Sequence, residues 1–531
     1  MKNNKPPQNN LVKYILFSWI AFILFTTSVW IFYSKDLPGQ DHAQYLEASE
    51  ILRQSLVDEG FVSFLFKTTT ILPTKAPLIA ILPIPLYVFF GSTVQVALFV
   101  NVLLILLFFI FFYKLVSLFF EENIALASVI VISTMPLFYG LTHYFLVEFG
   151  LMTIVVIWLF VLLKTKNLTN RKYLLILGLL TGFGMLMKFH FFIFVFGPAM
   201  VTLYWSWKIN KNKLFNLRNI LFFALPALVI SLPWYLRNIM TVLWKAKRSV
   251  NPALLGDLYY GPAFSFNNLY RSALDFINYV ISPYWFFILL ILFILFIYKK
   301  KKININLVLC SWFFIPFTIF YLGPNKDYRL MLPLLPPFAI LIAWLIEKTF
   351  KKKYLLGAIV LTLFPILIYL NTVVFDAKMI SHKISFGPFK IADKSIGYVD
   401  TPRKDSFPIS EIMTSLAILE PISKQKTVVL LSEDYELNIN GLRYYIVLYK
   451  LPIRAITASY FPIGTNFQTI SATLDQGDYL IVKVGGNSSL TGLNRLRDFI
   501  LQNLDDNKWS EIPNGISLPD SGTIKIWQKI S

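Results

Sequence analysis

The chain of 531 residues holds one cysteine and four histidines. Cys310, alone in an apolar run, forms no intrachain disulfide and builds no thiolate metal site. Neither GxxxxGK[ST] nor GxGxxG stands at a strand–helix junction, so the usual cradles for nucleotide phosphates are absent and ATP-driven pumping loses support. No clear internal repeat is visible, which argues against a transporter built from inverted halves. No small-residue cleavage site follows the first apolar run, so that run reads as a retained signal anchor.

Apolar residues are abundant instead. Hydrophobic residues make up 56% of the chain and aromatics 17%. Mean hydropathy is +0.61. These values describe a polytopic helical membrane protein. Stretches long enough to span lie at roughly 12–33, 94–118, 123–141, 145–163, 172–187, 189–207, 218–235, 283–298, 305–322, 330–346 and 354–373, giving about eleven transmembrane helices. Residues 77–90 are apolar but short and broken by Pro83 and Pro85, as expected of a re-entrant or interfacial segment.

Charge sets the expected orientation. With a cytoplasmic N-terminus, the inward links (1–13, 114–122, 164–172, 208–218, 299–302 and 347–353) carry 20 Lys/Arg and 3 Asp/Glu. The outward links carry 12 and 10, and the tail from 375 carries 17 and 16. The net charge of +20 is therefore a topology signal and a lipid-headgroup contact, not a nucleic-acid surface. The expected location is the plasma (inner) membrane. Residues 1–374 would form the membrane domain, with outer loops at 34–76 and 236–282. Residues 375–531 mix charges with strand-like and helix-like pieces (TVVLLS, DYLIVKV, NRLRDFILQNL, TIKIWQ) and read as a small extracytoplasmic α/β domain behind a linker at 376–410. Asn487-Ser488-Ser489 is a glycosylation-type triplet of the kind that arises by chance.

On this topology the informative polar residues share the outer side. Asp41 and His42 follow the turn signal Pro38-Gly39. The segment behind them, through Tyr45, has helical apolar spacing and is expected to lie as an amphipathic helix on the outer interface. Asp41 at its start is either a helix cap or a functional carboxylate. Lys75 precedes the short Pro-rich segment and either snorkels or binds an anion. Glu148 sits in the first turn of an otherwise uncharged span, where a carboxylate marks a functional site by default. Lys188 divides two apolar runs. Lys326-Asp327-Tyr328-Arg329 precedes the tenth span. His143 and His190 lie at the same rim and rank below these residues, as do His42 and Tyr45.

The order of these pieces resembles the membrane glycosyltransferases of the GT-C superfamily, nearest the glycosyltransferase family 39 type of protein O-mannosyltransferases and aminoarabinose transferases. Asp41-His42-Ala43-Gln44-Tyr45 matches an acidic D-E-x-x-Y motif at Asp41 and Tyr45, with His42 replacing the acid. Thr74-Lys75-Ala76-Pro77-Leu78 matches the next motif at Lys75 and Pro77. Glu148 occupies the place of a second carboxylate. LGLLTGFGMLMKF, LPWYLRN and YRLMLPLLPP resemble later elements and carry over Lys188 and Arg329. The resemblance covers about residues 12–346. It implies a sugar donor linked to a polyprenyl phosphate, transfer to a lipid, glycan or protein acceptor on the outer side, and inversion at the sugar carbon. Asp41 would be the base, with Glu148 orienting the acceptor, supporting a metal or pairing with Lys188. Lys75, Lys188 and Arg329 would meet the phosphate. No cofactor is required. A divalent metal on Asp41, Glu148 and a histidine is chemically acceptable, but no two of these stand at close ligand spacing. A glycolipid flippase and a surface-polysaccharide polymerase or ligase are the alternative functions. In 236–282, Trp244, Lys245, Lys247, Arg248, Tyr259 and Tyr260 would either meet an anionic acceptor or lie as a surface loop.

Overall fold

The computed structural model describes residues 10–35, 38–214, 216–255, 258–299, 306–375, 383–393, 399, 401–405, 407–418, 425–435, 437–459, 467–486 and 497–530. The basic N-terminal head and the Asn487 triplet lie outside these residues. Each apolar stretch expected to span is helical, as hydrocarbon requires of a backbone that must satisfy its own hydrogen bonds. Among the described residues, six helices are long and apolar enough to cross: Asn10–Tyr33, Val94–Val116, Val147–Lys164, Phe191–Ile209, Leu217–Ser249 and Tyr328–Phe350. A bent pair, Phe266–Ile281 with Pro283–Tyr298, turns by 100° and makes a seventh if counted as one span. Shorter apolar helices are Leu78–Phe90, Glu122–Ser133, Leu307–Leu322 and Tyr354–Tyr369. The expected eleven spans therefore include helices below full crossing length.

Two expected elements differ for identifiable reasons. The single span expected at 123–141 is broken into Glu122–Ser133 and Pro136–Leu141. Pro136 pushes the preceding residue out of the helical region, and Met135 is extended (φ −83°, ψ 131°). The outer loop expected at 236–282 is mostly helix. The Leu217–Ser249 helix runs straight through Trp244, Lys245, Lys247 and Arg248, and a second helix covers Phe266–Asp275. Its Lys/Arg-rich end hid a helix that outlasts its apolar run.

The chain packs as two compact units. The first holds Met1–Ile31, Leu65–Leu82 and Leu98–Thr401; the second holds Phe32–Phe64, Pro83–Ala97 and Pro402–Ser531. Composition divides the chain near residue 374, whereas packing assigns most of the first polar loop to the same unit as the tail.

Within the first unit, the Arg171–Met187 helix lies against Leu217–Ser249. Gly178 and Gly182 make this approach possible. A Cβ on Gly178 would overlap the Phe223 carbonyl, and one on Gly182 would fall 2.7 Å from Ile230. Their spacing is the small-xxx-small pattern that lets membrane helices close up. The buried Asn101 amide donates to the carbonyls of Thr142 and Tyr144 at 2.9 Å each. The linker expected at 376–410 contains a two-stranded antiparallel hairpin, β1 (Lys383–Phe386) and β2 (Phe389–Asp393), anchored through Asn278.

In the second unit, strands β3 (Lys426–Leu430), β4 (Ile453–Thr457), β5 (Tyr479–Val484), β6 (Trp509–Glu511), β7 (Ile516–Ser517) and β8 (Thr523–Lys529) form one sheet of order β4-β3-β5-β8-β6, with β7 beside β8. β4, β3 and β5 are parallel, and β8 runs antiparallel to β5. The run YLIVKV reads as a nearly unbroken apolar strand because parallel strands are covered on both faces. Its one cation, Lys483, is buried and meets Asp520 at 2.6 Å and Asp434 at 3.6 Å.

Gly178→Val should overpack the crossing of the two membrane helices and cost about 1–3 kcal/mol. A lowered melting temperature of the detergent-solubilised protein is the expected readout, with Gly60→Ala, where a Cβ meets open space but φ is +91°, as the contrasting backbone-strain control.

Candidate active site

The first unit gathers four charged residues from three elements. The Val147–Lys164 helix begins after Leu146, which is extended, so Glu148 falls in the first turn, where the helix dipole favours an anion. Lys188 is the extended residue that ends the Arg171–Met187 helix. Its Nζ donates to Glu148 Oε1 at 2.7 Å. Only 4% of the Glu148 side chain and 17% of the Lys188 side chain are exposed. The 3-10 turn Tyr328–Leu334, tightened by Pro333, packs against the start of this same helix layer. Asp327 caps that turn by accepting from the Arg329 amide at 3.1 Å. The Arg329 guanidinium also grips Asp327, with Nε at 3.0 Å from both carboxylate oxygens and Nη2 at 2.6 Å from Oδ2. Burial opposes the charge on Asp327, but Arg329 and Lys188 outweigh it and hold its pKa below the usual carboxylate value. Arg329 and Asp327 in turn act electrostatically on Glu148. The result is one cluster of two cations and two anions, with Glu148 buried and the other three half-buried. Of the Glu148 oxygens, Oε2 has no hydrogen-bond partner among the described residues.

The neighbouring histidines are neutral. Burial, aided by Lys188, lowers the His190 pKa to about 3. Burial does the same to His143, whose ring stacks on Trp30 at 4.1 Å and whose two nitrogens lack partners among the described residues. Lys75 is half-buried in the turn before Leu78–Ile81, and that short helix packs against the helix ending at Lys188. Tyr328 stacks on Tyr279 at 4.8 Å.

Asp41 belongs to the second unit. Gly39 is the N-cap, so the cap alternative for Asp41 is wrong: Asp41 lies inside the first turn of Gln40–Gln54 and is half-buried. The apolar face of this helix is covered by protein. It packs against Ile439–Leu448 and Ile84–Phe90, burying His42 and Tyr45. Burial lowers the His42 pKa to about 3. Glu50 pins the helix through Arg53 at 2.6 Å and Ser92 at 2.5 Å. The start of the helix is held by the loop after β3. A Cβ on Gly39 would overlap the Tyr435 ring. Asn440 donates to the Gln40 carbonyl at 3.2 Å, and Asn438 reaches the Pro38 carbonyl at 3.5 Å. Sequence reading missed Tyr435, Asn438 and Asn440, because nothing local signals a contact 400 residues away. Among the described residues no three His, Cys, Asp or Glu side chains converge as metal ligands, so the donor set proposed on Asp41 and Glu148 is incomplete.

Two outcomes follow from these environments. Lys188→Met leaves Glu148 buried without its cation and should cost about 3–5 kcal/mol, much of it recovered in Glu148→Leu/Lys188→Met; thermal melts of the four proteins measure this. Glu47, on the Asp41 helix, has its pKa raised to about 7 by burial against the opposing pull of Arg443. A raised carboxyl stabilises the fold below its unfolded pKa and loses that contribution as pH climbs through the folded value. Stability should therefore fall between about pH 4.5 and 7, and Glu47→Gln should flatten that slope in melts across the range.

Residues 74–235 match the model of the family described as dolichyl-phosphate-mannose-protein mannosyltransferase. No curated protein matches the chain by sequence. Among solved structures, ArnT from Cupriavidus metallidurans bound to undecaprenyl phosphate superposes with a TM-score of 0.54 at 13% identity, over 96% of this chain and 98% of that one. ArnT from the same organism in the apo state gives 0.54 at 14% identity, over 97% of each chain. The chain is a membrane protein with the fold of ArnT, and residues 74–235 carry the sequence pattern of the dolichyl-phosphate-mannose-protein mannosyltransferase family.

Proposed function

We propose that the protein transfers a hexosyl or pentosyl group from a polyprenyl-phosphate-linked donor to an acceptor hydroxyl on the extracytoplasmic face of the plasma (inner) membrane. The observation that carries this reading is the Glu148–Lys188 and Asp327–Arg329 cluster, set within a fold whose solved relative binds undecaprenyl phosphate. Such a site suits an anionic leaving group. The bond from the sugar's anomeric carbon to the phosphate oxygen breaks, and its electron pair leaves with the lipid phosphate. Lys188 and Arg329 meet that charge, with Lys75 as a third cation. Both cluster cations are already fixed by carboxylates, so they need little reorganisation when charge develops.

The acceptor oxygen attacks the anomeric carbon from the opposite side, and its proton passes to Asp41. Asp41 lies in the first turn of its helix, where the helix dipole favours a carboxylate's negative charge, as suits a base. Glu148 has two jobs on its two oxygens: Oε1 holds Lys188, and Oε2 accepts from a hydroxyl of the bound sugar or acceptor. His143 and His190, being neutral, serve as hydrogen-bonding groups and not as cations. Asp327 and Tyr328 position Arg329 from its own turn, and His42 and Tyr45 support Asp41 from its helix.

Purified protein in membranes, given a radiolabelled polyprenyl-phosphate sugar, tests the assignment. Asp41→Asn should reduce transfer by about 10²–10⁴-fold while donor binding persists. Undiminished turnover in that variant would remove Asp41 as base. Glu148→Gln should lower the rate with a smaller loss of stability than Lys188→Met, since the amide oxygen still accepts from Lys188. Labelling of Asp41→Cys from outside intact cells, in a Cys310→Ser background, checks the orientation; labelling only after permeabilisation overturns it.

A further inference from the structure

The first unit contains an apolar cavity of about 320 Å³ far from the charged cluster. Its walls include Trp158, Leu162, Leu174, Ala199, Asn219 and Phe223, drawn from four membrane helices. Leu162 stands fourteen residues beyond Glu148 on the same helix, roughly 20 Å away. The volume falls in the range of roughly 300–1,000 Å³ typical of ligand pockets, so it exceeds a packing void. Met200, Leu203 and Ile220 line its edge and are exposed, so the mouth opens through apolar side chains toward surrounding hydrocarbon.

The polar edge is of one sign. Asn219, 8% exposed, accepts from the Arg171 guanidinium at 3.3 Å and so ties the cavity wall to the rim. Arg171, Lys172 and Arg218 are all exposed there. The sequence has no Asp or Glu from residue 149 to 256, so no acid neutralises this rim from any of the four helices. An apolar slot entered from hydrocarbon and edged by uncompensated cations fits a molecule with an acyl tail and an anionic head. We propose that this cavity binds one acyl chain of an anionic phospholipid, whose phosphate is held by Arg171, Lys172 and Arg218.

This site is separate from the transfer chemistry and stands whether or not that reading holds. Native mass spectrometry of the purified full chain, offered phosphatidylglycerol and phosphatidylcholine of equal chain length, tests it. The wild type should retain phosphatidylglycerol at least about 10-fold better than phosphatidylcholine, consistent with roughly 1 kcal/mol for each basic residue near a charged headgroup. Arg171→Gln/Lys172→Gln/Arg218→Gln should erase that preference. Ala199→Trp, which fills the cavity, should lower retention of both lipids by a similar factor. The three cations are exposed, so their variant tests the headgroup contact even if Ala199→Trp does not fold. Equal retention of the two lipids by the wild type, unchanged retention in a folded Ala199→Trp protein, or displacement by inorganic phosphate alone would each overturn the proposal.

Discussion

A carboxylate placed at the head of an apolar helix loses its water, and several kcal/mol with it, unless a cation replaces that water. The contact between Glu148 and Lys188 answers that demand, and the surrounding architecture depends on it. Glu148 opens one helix and Lys188 closes another, so the pair fixes two helix ends against each other. The turn bearing Asp327 and Arg329 brings a second pair within electrostatic range of the first. Each carboxylate faces both cations, and those cations oppose the cost of its burial. The same attraction holds the cations in one geometry before any ligand arrives.

The cluster is not fully satisfied, and that is informative. One oxygen of Glu148 and both ring nitrogens of His143 are buried without partners among the described residues. Polar atoms left this way carry a stability cost that packing elsewhere must offset. One such offset is the close, glycine-lined crossing of Arg171–Met187 with Leu217–Ser249.

Much of this was legible in the sequence, for reasons that can be named. Apolar run length located the helices long enough to cross among the described residues, since hydrocarbon imposes one solution on a spanning backbone. Glu148, Lys188 and Arg329 were visible because ionised residues inside apolar runs are rare. Helix ends were less legible. The Leu217–Ser249 helix outran its apolar segment because lysines and arginines are good helix formers, while Pro136 cut an apolar run that composition alone treats as continuous. The partner of Lys188 was one option among three, because pairing depends on which helices lie side by side. The environment of Asp41 was misread for a related cause. Apolar spacing on a helix reveals a buried face but not what buries it, and the covering helix, Ile439–Leu448, comes some four hundred residues later.

That late partner has a consequence for how the protein is made. The Asp41 segment leaves the synthesis machinery near the beginning, but Tyr435, Asn438 and Asn440 follow only after the membrane helices. The first turn of the Asp41 helix therefore waits, without its clamp, through nearly the entire period of translation. At the 5–20 residues per second typical of synthesis, a span of about 400 residues corresponds to roughly 20–80 s. During that interval a nascent chain lacks the side chains that hold the start of the Asp41 helix. Completion of the tail thus supplies the last contacts to the start of the Asp41 helix.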